Sequence, residues 1–317
     1  MHRVHSPLRR RKEPPVADLI SHPAPGDRRA RLRALLDEGG PVLAPGAYDA
    51  LSARLVEQAG FDAVYMTGFG TTAGLLGRPD VGLLGGAEMA AHAARLADAV
   101  DLPLIADADT GYGNAINVIR TVRDYERAGV AALHLEDQVM PKRCGHLAGK
   151  QVVPAGEMAA KIRAAADART DPDLLIIART DAAAVDGLDA AIDRARRFAD
   201  AGADLLFVEA PTSEADIETV ATALQGHRLV FNWAEGGRTP PLSRDRLAEL
   251  GFALVLFPVG TLLAATAGMT ELLARLKADG TPAGMLDRLG GLDAFAELAG
   301  IGEIRDLEQT YRAGDGG

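Results

Sequence analysis

The chain has 317 residues, enough for one large domain or two ordinary ones. Hydrophobic residues make up 48% of it, which supports a sizeable core. That core is mainly aliphatic, because aromatic residues make up only 4%. The net charge of −10 argues against nucleic acid as a partner, and no apolar run reaches the roughly 18 residues of a membrane-spanning helix. The single cysteine excludes a disulfide framework and favours a reducing compartment, so we predict a cytoplasmic protein that does not associate with membranes.

Residues 1–33 differ from the rest of the chain because they are rich in arginine and proline. The run RRRK at 9–12 and the pair PP at 14–15 show this composition. The segment lacks the apolar region of a secretory signal. We predict a basic, disordered tail, with an organelle transit peptide or a start assigned too far upstream as alternatives.

From residue 41 to residue 258, short apolar runs alternate with Ala-, Arg- and Glu-rich stretches of helical periodicity. Each apolar run predicts a strand and each stretch between them a helix. The eight candidate strands are 42–44, 63–66, 104–106, 132–135, 174–177, 205–208, 228–231 and 253–256.

A short repeat supports this alternation. The segments AGFDA (59–63), AGVAA (128–132), AGAD (201–204) and LGFA (250–253) each precede a predicted strand. Each glycine is predicted to end a helix in the left-handed conformation. Eight such units predict an α/β protein with a (β/α)₈ barrel over residues 34–317, with a doubly wound sheet as the alternative. After Thr270 the pattern is helical and predicts a C-terminal helical arm over about 271–317.

Polar residues stand where the predicted strands end. A glycine-rich run, GFGTTAG at 68–74, follows Thr67 after strand two, and its spacing does not match a dinucleotide fingerprint, so we predict a ligand-facing loop. Strand three ends at Asp107 and Asp109, two carboxylates on one face of the strand. Paired hard oxygen ligands favour Mg²⁺, with a helix-capping loop as the alternative.

The next strands continue this series. His134 and Glu136 share one face of strand four, where His134 could equally be a core histidine. Arg179 ends strand five and suits a carboxylate ligand, with a structural ion pair as the alternative. Glu209 ends strand six and Asn232 ends strand seven. Because active sites of barrel enzymes lie at the carboxyl ends of the strands, the joint pattern predicts an active site.

The only cysteine, Cys144, lies between two cations and a histidine in the run KRCGH at 142–146. Nearby cations lower the pKa of a thiol below its ordinary value of about 8.5. Glycines in the segment predict a loop rather than a helix. Cys144 is therefore a candidate nucleophile or acid, with an incidental exposed thiol as the alternative.

Six motifs together resemble the isocitrate lyase/phosphoenolpyruvate mutase superfamily. They are YDALS (48–52), MTG (66–68), DADTGYG (107–113), LEDQV (135–139), PKRCGH (141–146) and ARTD (178–181). The resemblance runs from about residue 41 into the C-terminal arm. The Cys-containing loop together with the Asp-x-Asp pair is specific for the superfamily and much less so for one of its members.

The resemblance implies a set of roles. A Mg²⁺ ion, or Mn²⁺ in its place, would be held by Asp107, Asp109 and Glu136, and a loop over residues 142–150 would close over the ligand. The catalytic residues would be Cys144, Arg179, Lys142 and His146, and Cys144 would protonate the carbanion left by a retro-aldol cleavage. The substrate-binding residues would be Tyr65, Thr67, Gly68, Asp80, Gly145, His134, Arg179, Glu209 and Asn232.

We therefore predict a Mg²⁺-dependent carbon–carbon lyase acting on a 2-hydroxy di- or tricarboxylic acid and giving a 2-oxo acid such as pyruvate. The cation that lyases of 2-methylisocitrate typically carry after strand eight is missing from residues 257–263, which favours 2-alkylmalates or related dicarboxylates. The alternatives are phosphorus–carbon bond formation by a carboxyphosphonoenolpyruvate mutase type, oxaloacetate hydrolysis or decarboxylation, and a barrel that binds a metabolite without turnover.

The resemblance also implies self-assembly. Members of the superfamily typically form tetramers that exchange C-terminal helices. The apolar residues of the predicted arm that one barrel would leave uncovered are Leu289, Leu292, Phe295, Leu298, Ile301 and Ile304. We predict a homotetramer or a homodimer.

Overall fold

The computed structural model describes residues 23–145 and 149–312. Within them the chain forms a closed barrel of parallel strands, each paired with its neighbours in chain order, and the last strand pairs with the first. The predicted (β/α)₈ barrel is confirmed, and each predicted strand is present. The strands are β1 (Val42–Ala47), β2 (Val64–Met66), β3 (Leu104–Asp107), β4 (Ala132–Glu136), β5 (Leu175–Thr180), β6 (Leu205–Val208), β7 (Arg228–Asn232) and β8 (Phe252–Phe257).

Helices lie between the strands and continue beyond the barrel. The glycines predicted to end helices, Gly60, Gly129, Gly202 and Gly251, all have positive φ angles between 80° and 108°. The helices are α1 (Pro25–Asp37), α2 (Ala50–Gln58), α3 (Gly68–Leu76), α4 (Gly86–Ala99), α5 (Ala115–Arg127), α6 (Ala155–Ala168), α7 (Leu188–Asp200), α8 (Glu214–Ala223), α9 (Arg244–Glu249), α10 (Gly260–Asp279), α11 (Leu286–Leu289), α12 (Leu292–Leu298) and α13 (Ile301–Thr310).

The glycine-rich run after β2 is a helix, so the predicted loop at 68–74 is wrong. Thr67 caps this helix, α3, and its side chain accepts a hydrogen bond from the backbone N–H of Gly70. Glycine lowers the helix propensity of the run, but a threonine cap and burial against the barrel outweigh that preference. The start of α3 therefore lies at the mouth of the barrel.

Aliphatic side chains fill the barrel, as the low aromatic content predicts. Ile105, Leu175, Leu254 and similar residues pack in its interior together with Tyr65. The outer faces of the strands pack against the helices in a second, larger cluster. Both faces of every strand are thus covered, which explains why the strands are continuous apolar runs rather than alternating ones.

Helix α1 covers the amino-terminal end of the barrel and corrects the predicted domain boundary. Residues 25–33, assigned from sequence to the tail, are helical, and Arg28, Arg29 and Leu32 are buried. Leu32 packs with residues at the starts of several strands. The remainder of the predicted tail, residues 1–22, lies outside the described residues.

The C-terminal helical arm is present, although it begins earlier than predicted. Helix α10 leaves the mouth of the barrel at Gly260 and none of its residues is buried. Residues 313–317 of the predicted arm lie outside the described residues. No helix in the described part of the chain is long and apolar enough to cross a membrane.

Candidate active site

A cavity of about 230 Å³ lies at the carboxyl ends of the strands. It is lined by most of the predicted site residues: Tyr65, Thr67, Asp80, Asp107, Lys142, Cys144, Gly145, Arg179, Glu209 and Asn232. The barrel register explains this grouping, because Asp107 pairs with His134 and Glu136 pairs with Arg179 on neighbouring strands. The structure therefore brings together side chains that are far apart in the sequence.

Four predicted residues do not line the cavity. Asp109, His134 and Glu136 are buried directly beside the lining residues. Gly68 packs against Asp107, and a Cβ atom at this position would lie 2.3 Å from Asp107 Oδ2, so only glycine fits there. His146 lies outside the described residues.

A backbone hydrogen bond and a lysine hold the two aspartates at the end of β3. The backbone N–H of Asp109 donates a hydrogen bond to Asp107 Oδ1 at 2.9 Å. Lys142 Nζ lies 2.7 Å from both Asp109 Oδ1 and Asp80 Oδ2. Asp109 has a φ of 47°, a conformation that costs a non-glycine residue about 1–3 kcal/mol. This strain places the Asp109 side chain next to Lys142 rather than in line with the strand.

The pKa values of Asp107 and Asp109 are shifted from their ordinary value in opposite directions. Burial alone raises the pKa of Asp107, but its interactions with His134, Lys142 and Arg179 outweigh burial and bring it below the ordinary value. Burial raises the pKa of Asp109 to about 7, and the charge of Asp107 adds to this effect while Lys142 opposes it. One carboxylate of the pair is thus ionised at neutral pH and the other is close to its midpoint.

Arg179 is held between two carboxylates. Its Nε donates to Asp181 Oδ2 at 2.9 Å, and its Nη1 lies 3.3 Å from Glu136 Oε2. The guanidinium also lies over the ring of Phe207, 5.2 Å from its centre. The ion pair that the sequence left open as an alternative is therefore present, although Arg179 also lines the cavity and can reach a ligand there.

Glu136 and His134 are two buried groups of the site that each have a hydrogen-bonding atom without a partner among the described residues. Burial raises the pKa of Glu136 well above its ordinary value, and its Oε1 has no hydrogen-bond partner among the described residues. Burial lowers the pKa of His134 to about 4, so its imidazole is neutral at pH 7. His134 Nε2 lies 2.8 Å from the Tyr65 hydroxyl, and through this contact it orients a residue that lines the cavity.

The segment that carries Cys144 lies beside Asp80, Glu209 and Arg179 at the cavity. The backbone N–H of Cys144 donates to the carbonyl of Asp80 at 3.2 Å. A Cβ atom at Gly145 would lie 2.4 Å from Glu209 Oε1 and 2.6 Å from Arg179 Nη2, so a side chain would displace both groups. Cys144 is half-buried and lines the same cavity as Asp107 and Arg179.

Three features of the site are not evident from the sequence. Lys150 donates hydrogen bonds to the carbonyl of Gly145 and to Asp181 Oδ1, the latter at 2.8 Å. Glu235 accepts hydrogen bonds from the first backbone N–H groups of α10, at Val259 and Gly260. An apolar wall faces the carboxylates and consists of Phe69, Ala234, Pro258, Val259 and Leu263. Only Glu235 carries a sequence signal, its place just after β7.

The donor set fits a hydrated divalent cation better than a fully protein-bound one. No three His, Cys, Asp or Glu side chains of the described residues converge on one point as metal ligands. Mg²⁺ needs no such cage, because it keeps several waters and binds through one or two carboxylates. Asp107 at the cavity, Asp109 beside it and the unpartnered Oε1 of Glu136 suit such an ion.

Comparison with known proteins is consistent with this geometry. The family model described as phosphoenolpyruvate phosphomutase matches residues 32–277. The chain is 47% identical to 2,3-dimethylmalate lyase of Eubacterium barkeri, over 90% of this chain and 98% of that protein. It is 44% identical to the chloroplastic carboxyvinyl-carboxyphosphonate phosphorylmutase of Arabidopsis thaliana, over 95% and 89%. It is also 44% identical to a probable 2-methylisocitrate lyase of Corynebacterium glutamicum, over 92% and 96%.

Solved structures show the same architecture. A crystal structure of 2,3-dimethylmalate lyase, a member of the PEP mutase/isocitrate lyase superfamily, matches with a TM-score of 0.86 and 40% identity, over 94% of this chain and 99% of that one. Oxaloacetate acetylhydrolase in complex with 3,3-difluorooxalacetate matches with a TM-score of 0.87 and 37% identity, over 93% and 100%. Phosphonopyruvate hydrolase in complex with oxalate and Mg²⁺ matches with a TM-score of 0.83 and 32% identity, over 90% and 99%.

Proposed function

Because the chain belongs to the phosphoenolpyruvate phosphomutase family, within the PEP mutase/isocitrate lyase superfamily, we propose that it is a Mg²⁺-dependent lyase that cleaves a C–C bond of a 2-hydroxy dicarboxylic acid. The products would be a 2-oxo acid such as pyruvate and a second carboxylic acid. The observation that carries this proposal is that a thiol, Cys144, lines one cavity with the carboxylate of Asp107 and the guanidinium of Arg179.

The metal would be held by Asp107, Asp109 and Glu136, directly or through water, with Mn²⁺ as an alternative to Mg²⁺. When bound, the ion supplies positive charge that stabilises the negative charge developing on the substrate's oxygens. The unpartnered Oε1 of Glu136 and the buried, neighbouring aspartates support this assignment. The bound Mg²⁺ of the phosphonopyruvate hydrolase structure supports the choice of metal.

The protein's own residues would bind one end of the substrate and deliver a proton to the other. Arg179 and the backbone of Thr67 and Gly68 would hold the carboxylate next to the reacting carbon. As the C–C bond breaks, the C2 hydroxyl would give its proton to a carboxylate of the cavity and its oxygen would become the carbonyl of the 2-oxo acid. The electron pair of the broken bond would move to the departing carbon, where its carboxylate stabilises it. Cys144 would donate its S–H proton to that carbon as a general acid. A positioned acid of this kind contributes about 10²–10⁴-fold to the rate.

The substitution Cys144→Ser tests this assignment. Serine keeps the size and hydrogen bonding of the thiol but is a far weaker acid, so we expect cleavage of 2,3-dimethylmalate, followed as pyruvate release, to slow by about 10²–10⁴-fold. Oxalate with Mg²⁺ should bind nearly as well as to wild type, because the metal and carboxylate contacts are unchanged. Near-normal turnover by the serine enzyme would remove Cys144 from the acid role.

The far wall of the cavity restricts the substrate. It is mainly apolar, and among the described residues the lining cations are Lys142 and Arg179, both already paired with carboxylates. A third substrate carboxylate would be buried without a partner, at a cost of several kcal/mol. We therefore expect 2-alkylmalates or oxaloacetate to bind more tightly than 2-methylisocitrate in calorimetric titrations with Mg²⁺ present. Tighter and productive binding of 2-methylisocitrate would contradict this boundary.

A phosphorus-transferring mutase is the second candidate. The 44% identity to the Arabidopsis phosphorylmutase over 95% of this chain favours it, and the Cys144 variant distinguishes the two. Transfer of a phosphorus group leaves no carbanion for the thiol to protonate, so a mutase should tolerate serine at the chemical step. Hydrolysis or decarboxylation of oxaloacetate is a third candidate, favoured by the likeness to oxaloacetate acetylhydrolase.

The C-terminal arm supports a proposal on assembly. Helices α10 to α13 have no buried residue, and Leu273, Leu292 and Phe295 are 63%, 88% and 52% exposed. Apolar patches of this kind typically contact another chain. We propose that a second copy of this chain covers the arm, in a homodimer or homotetramer.

We also propose that the protein is cytoplasmic, because a single cysteine without a disulfide partner favours that compartment.

A further inference from the structure

The segment that carries Cys144 leaves the barrel and returns to it through a short antiparallel stem. After β4, the backbone N–H of Val139 donates to the carbonyl of Gln151, and that of Val153 donates to the carbonyl of Asp137, both at 2.8 Å. The residue between them, Gln138, forms an isolated bridge with Val152. The stem fixes the two ends of the segment, but Cys144 lies several residues beyond the last stem hydrogen bond.

The Gln138 side chain connects the stem to Arg143, the residue before Cys144. Its side chain is buried, and both the N–H and the oxygen of its carboxamide form hydrogen bonds with the backbone of Arg143. Nε2 donates to the carbonyl of Arg143 at 2.7 Å, and Oε1 accepts from the backbone N–H of Arg143 at 3.0 Å. The amide therefore replaces a neighbouring strand, with the same donor and acceptor pair that a β-bridge offers.

Both neighbours of Arg143 contact Asp80. On one side, Lys142 is paired with Asp80 and Asp109. On the other, the backbone N–H of Cys144 donates to the carbonyl of Asp80. The Arg143 residue is exposed, and its guanidinium lies beside Gly149. The backbone of Arg143 is thus fixed by Gln138, and the peptide that leads into Cys144 takes its orientation from there.

We propose that Gln138 is a positioning residue that sets the place of the Cys144 thiol over the cavity. Gln138 does not line the cavity, so it acts through the Arg143 backbone. The proposal rests on the function proposed above, in which Cys144 is the acid. A proton donor must lie within hydrogen-bonding reach of the accepting atom, and a displacement of about 1 Å can cost about 10²-fold in rate.

Two variants and one control test this role. Gln138→Met has similar length and removes both hydrogen bonds, while Gln138→Glu keeps the acceptor and loses the donor. Gln151→Met is the matched control, because Gln151 belongs to the same stem and its side chain is exposed. Because both hydrogen bonds to Arg143 are only part-buried, water can replace them, and we expect all three variants to fold.

Three quantities are measured on the full chain: kcat and KM for 2,3-dimethylmalate with Mg²⁺, the melting temperature, and the rate of Cys144 alkylation by iodoacetamide between pH 6 and pH 9. The alkylation rate reports on one site, because Cys144 is the only cysteine. For Gln138→Met we expect kcat to fall by about 10²-fold with KM changed by less than about threefold, and alkylation to be at least about threefold faster. Gln138→Glu places a carboxylate oxygen against the Arg143 carbonyl, so it should be impaired at least as much as Gln138→Met, and Gln151→Met should match wild type.

Other outcomes overturn the proposal. Unchanged alkylation in Gln138→Met means that Gln138 does not position the thiol, whatever happens to kcat. Faster alkylation with unchanged kcat means that the position of the thiol does not limit the reaction. Failure of the proposed function is distinguished by Cys144→Ser: normal turnover by that enzyme removes the acid role, while the alkylation rates still report whether Gln138 orders the thiol.

Discussion

The two ends of this barrel both bury charged side chains, but they neutralise them differently. At the amino-terminal end, Arg28 and Arg29 of α1 are buried against the chain around the ends of α4 and α5. Arg29 donates to the carbonyls of Glu126 and Val130 and pairs with Asp171 at 2.8 Å. Arg28 donates to the carbonyls of Ala97 and Val100. Cations at helix C-termini satisfy carbonyls that have no partner within the helix.

The carboxyl-terminal end carries an excess of buried acids. Asp80, Asp107, Asp109, Glu136 and Glu209 share the cations Lys142 and Arg179. Buried atoms without hydrogen-bond partners among the described residues include Glu136 Oε1, His134 Nδ1 and Asn232 Oδ1. Such atoms reduce stability unless a ligand or an ion completes them. One end is thus arranged for stability and the other for binding, which predicts different consequences for mutations at the two ends.

The largest expected effect is on activity, at the carboxyl-terminal end. Asp107→Ala removes the ionised carboxylate of the proposed metal site, and we expect kcat/KM for the lyase reaction to fall by at least about 10³-fold. The melting temperature should change far less than activity, because repulsion between Asp107 and the neighbouring buried Asp109 partly offsets its attraction to Lys142 and Arg179. Steady-state kinetics and calorimetry measure the two quantities. Normal turnover by enzyme treated with EDTA would contradict the metal assignment.

At the amino-terminal end we expect the reverse: a substitution there should lower stability and leave activity unchanged. Arg29→Met leaves two buried carbonyls and the part-buried Asp171 without their partner, and each buried polar group left unpaired costs about 1–3 kcal/mol. We expect a clearly lower melting temperature and an unchanged kcat at temperatures where the protein is folded. Arg31→Met on the same helix is the control, because Arg31 is 45% exposed and lies 3.6 Å from Asp62. A fall in kcat without a fall in melting temperature would refute the separation of the two ends.

The same comparison shows what the sequence could predict. Strand positions, helix-ending glycines and the polar residues at strand ends are local signals, and the structure confirms the barrel that they predict. The arginines of α1 were assigned to a basic tail because their partners lie 69 to 142 residues away in the chain. No local pattern distinguishes a buried arginine of this kind from a solvated one. The contacts of Lys142 with Asp80 and of Lys150 with Asp181 are hidden in the same way.

The smallest expected effect is the pH dependence of metal binding. It depends on Asp109 at the carboxyl-terminal end and not on Asp171 at the amino-terminal end. The pKa of Asp109 is raised to about 7 by burial, so near neutral pH a proton competes with the metal for this carboxylate. Above that pH the carboxylate is ionised and affinity is highest; below it, affinity falls as the carboxylate is protonated. We expect Mg²⁺ to bind about tenfold more weakly at pH 6 than at pH 8, which corresponds to about 1.4 kcal/mol.

Calorimetric titration in buffers of different ionisation enthalpy measures both the affinity and the protons released. Asp109 should contribute close to one released proton per Mg²⁺ at pH 6 and close to none at pH 8, separately from Glu136, whose pKa burial also raises. Asp171, at the opposite end, has a pKa lowered through its contact with Arg29, which outweighs its burial, so it stays ionised across this range and contributes nothing. Asp109→Asn is the control: it should bind Mg²⁺ more weakly, release about one proton fewer than wild type at pH 6 and release the same number at pH 8. A pH-independent affinity in wild type, or an unchanged slope in the Asn variant, would remove Asp109 from the metal site and leave Asp107 and Glu136 as its candidates.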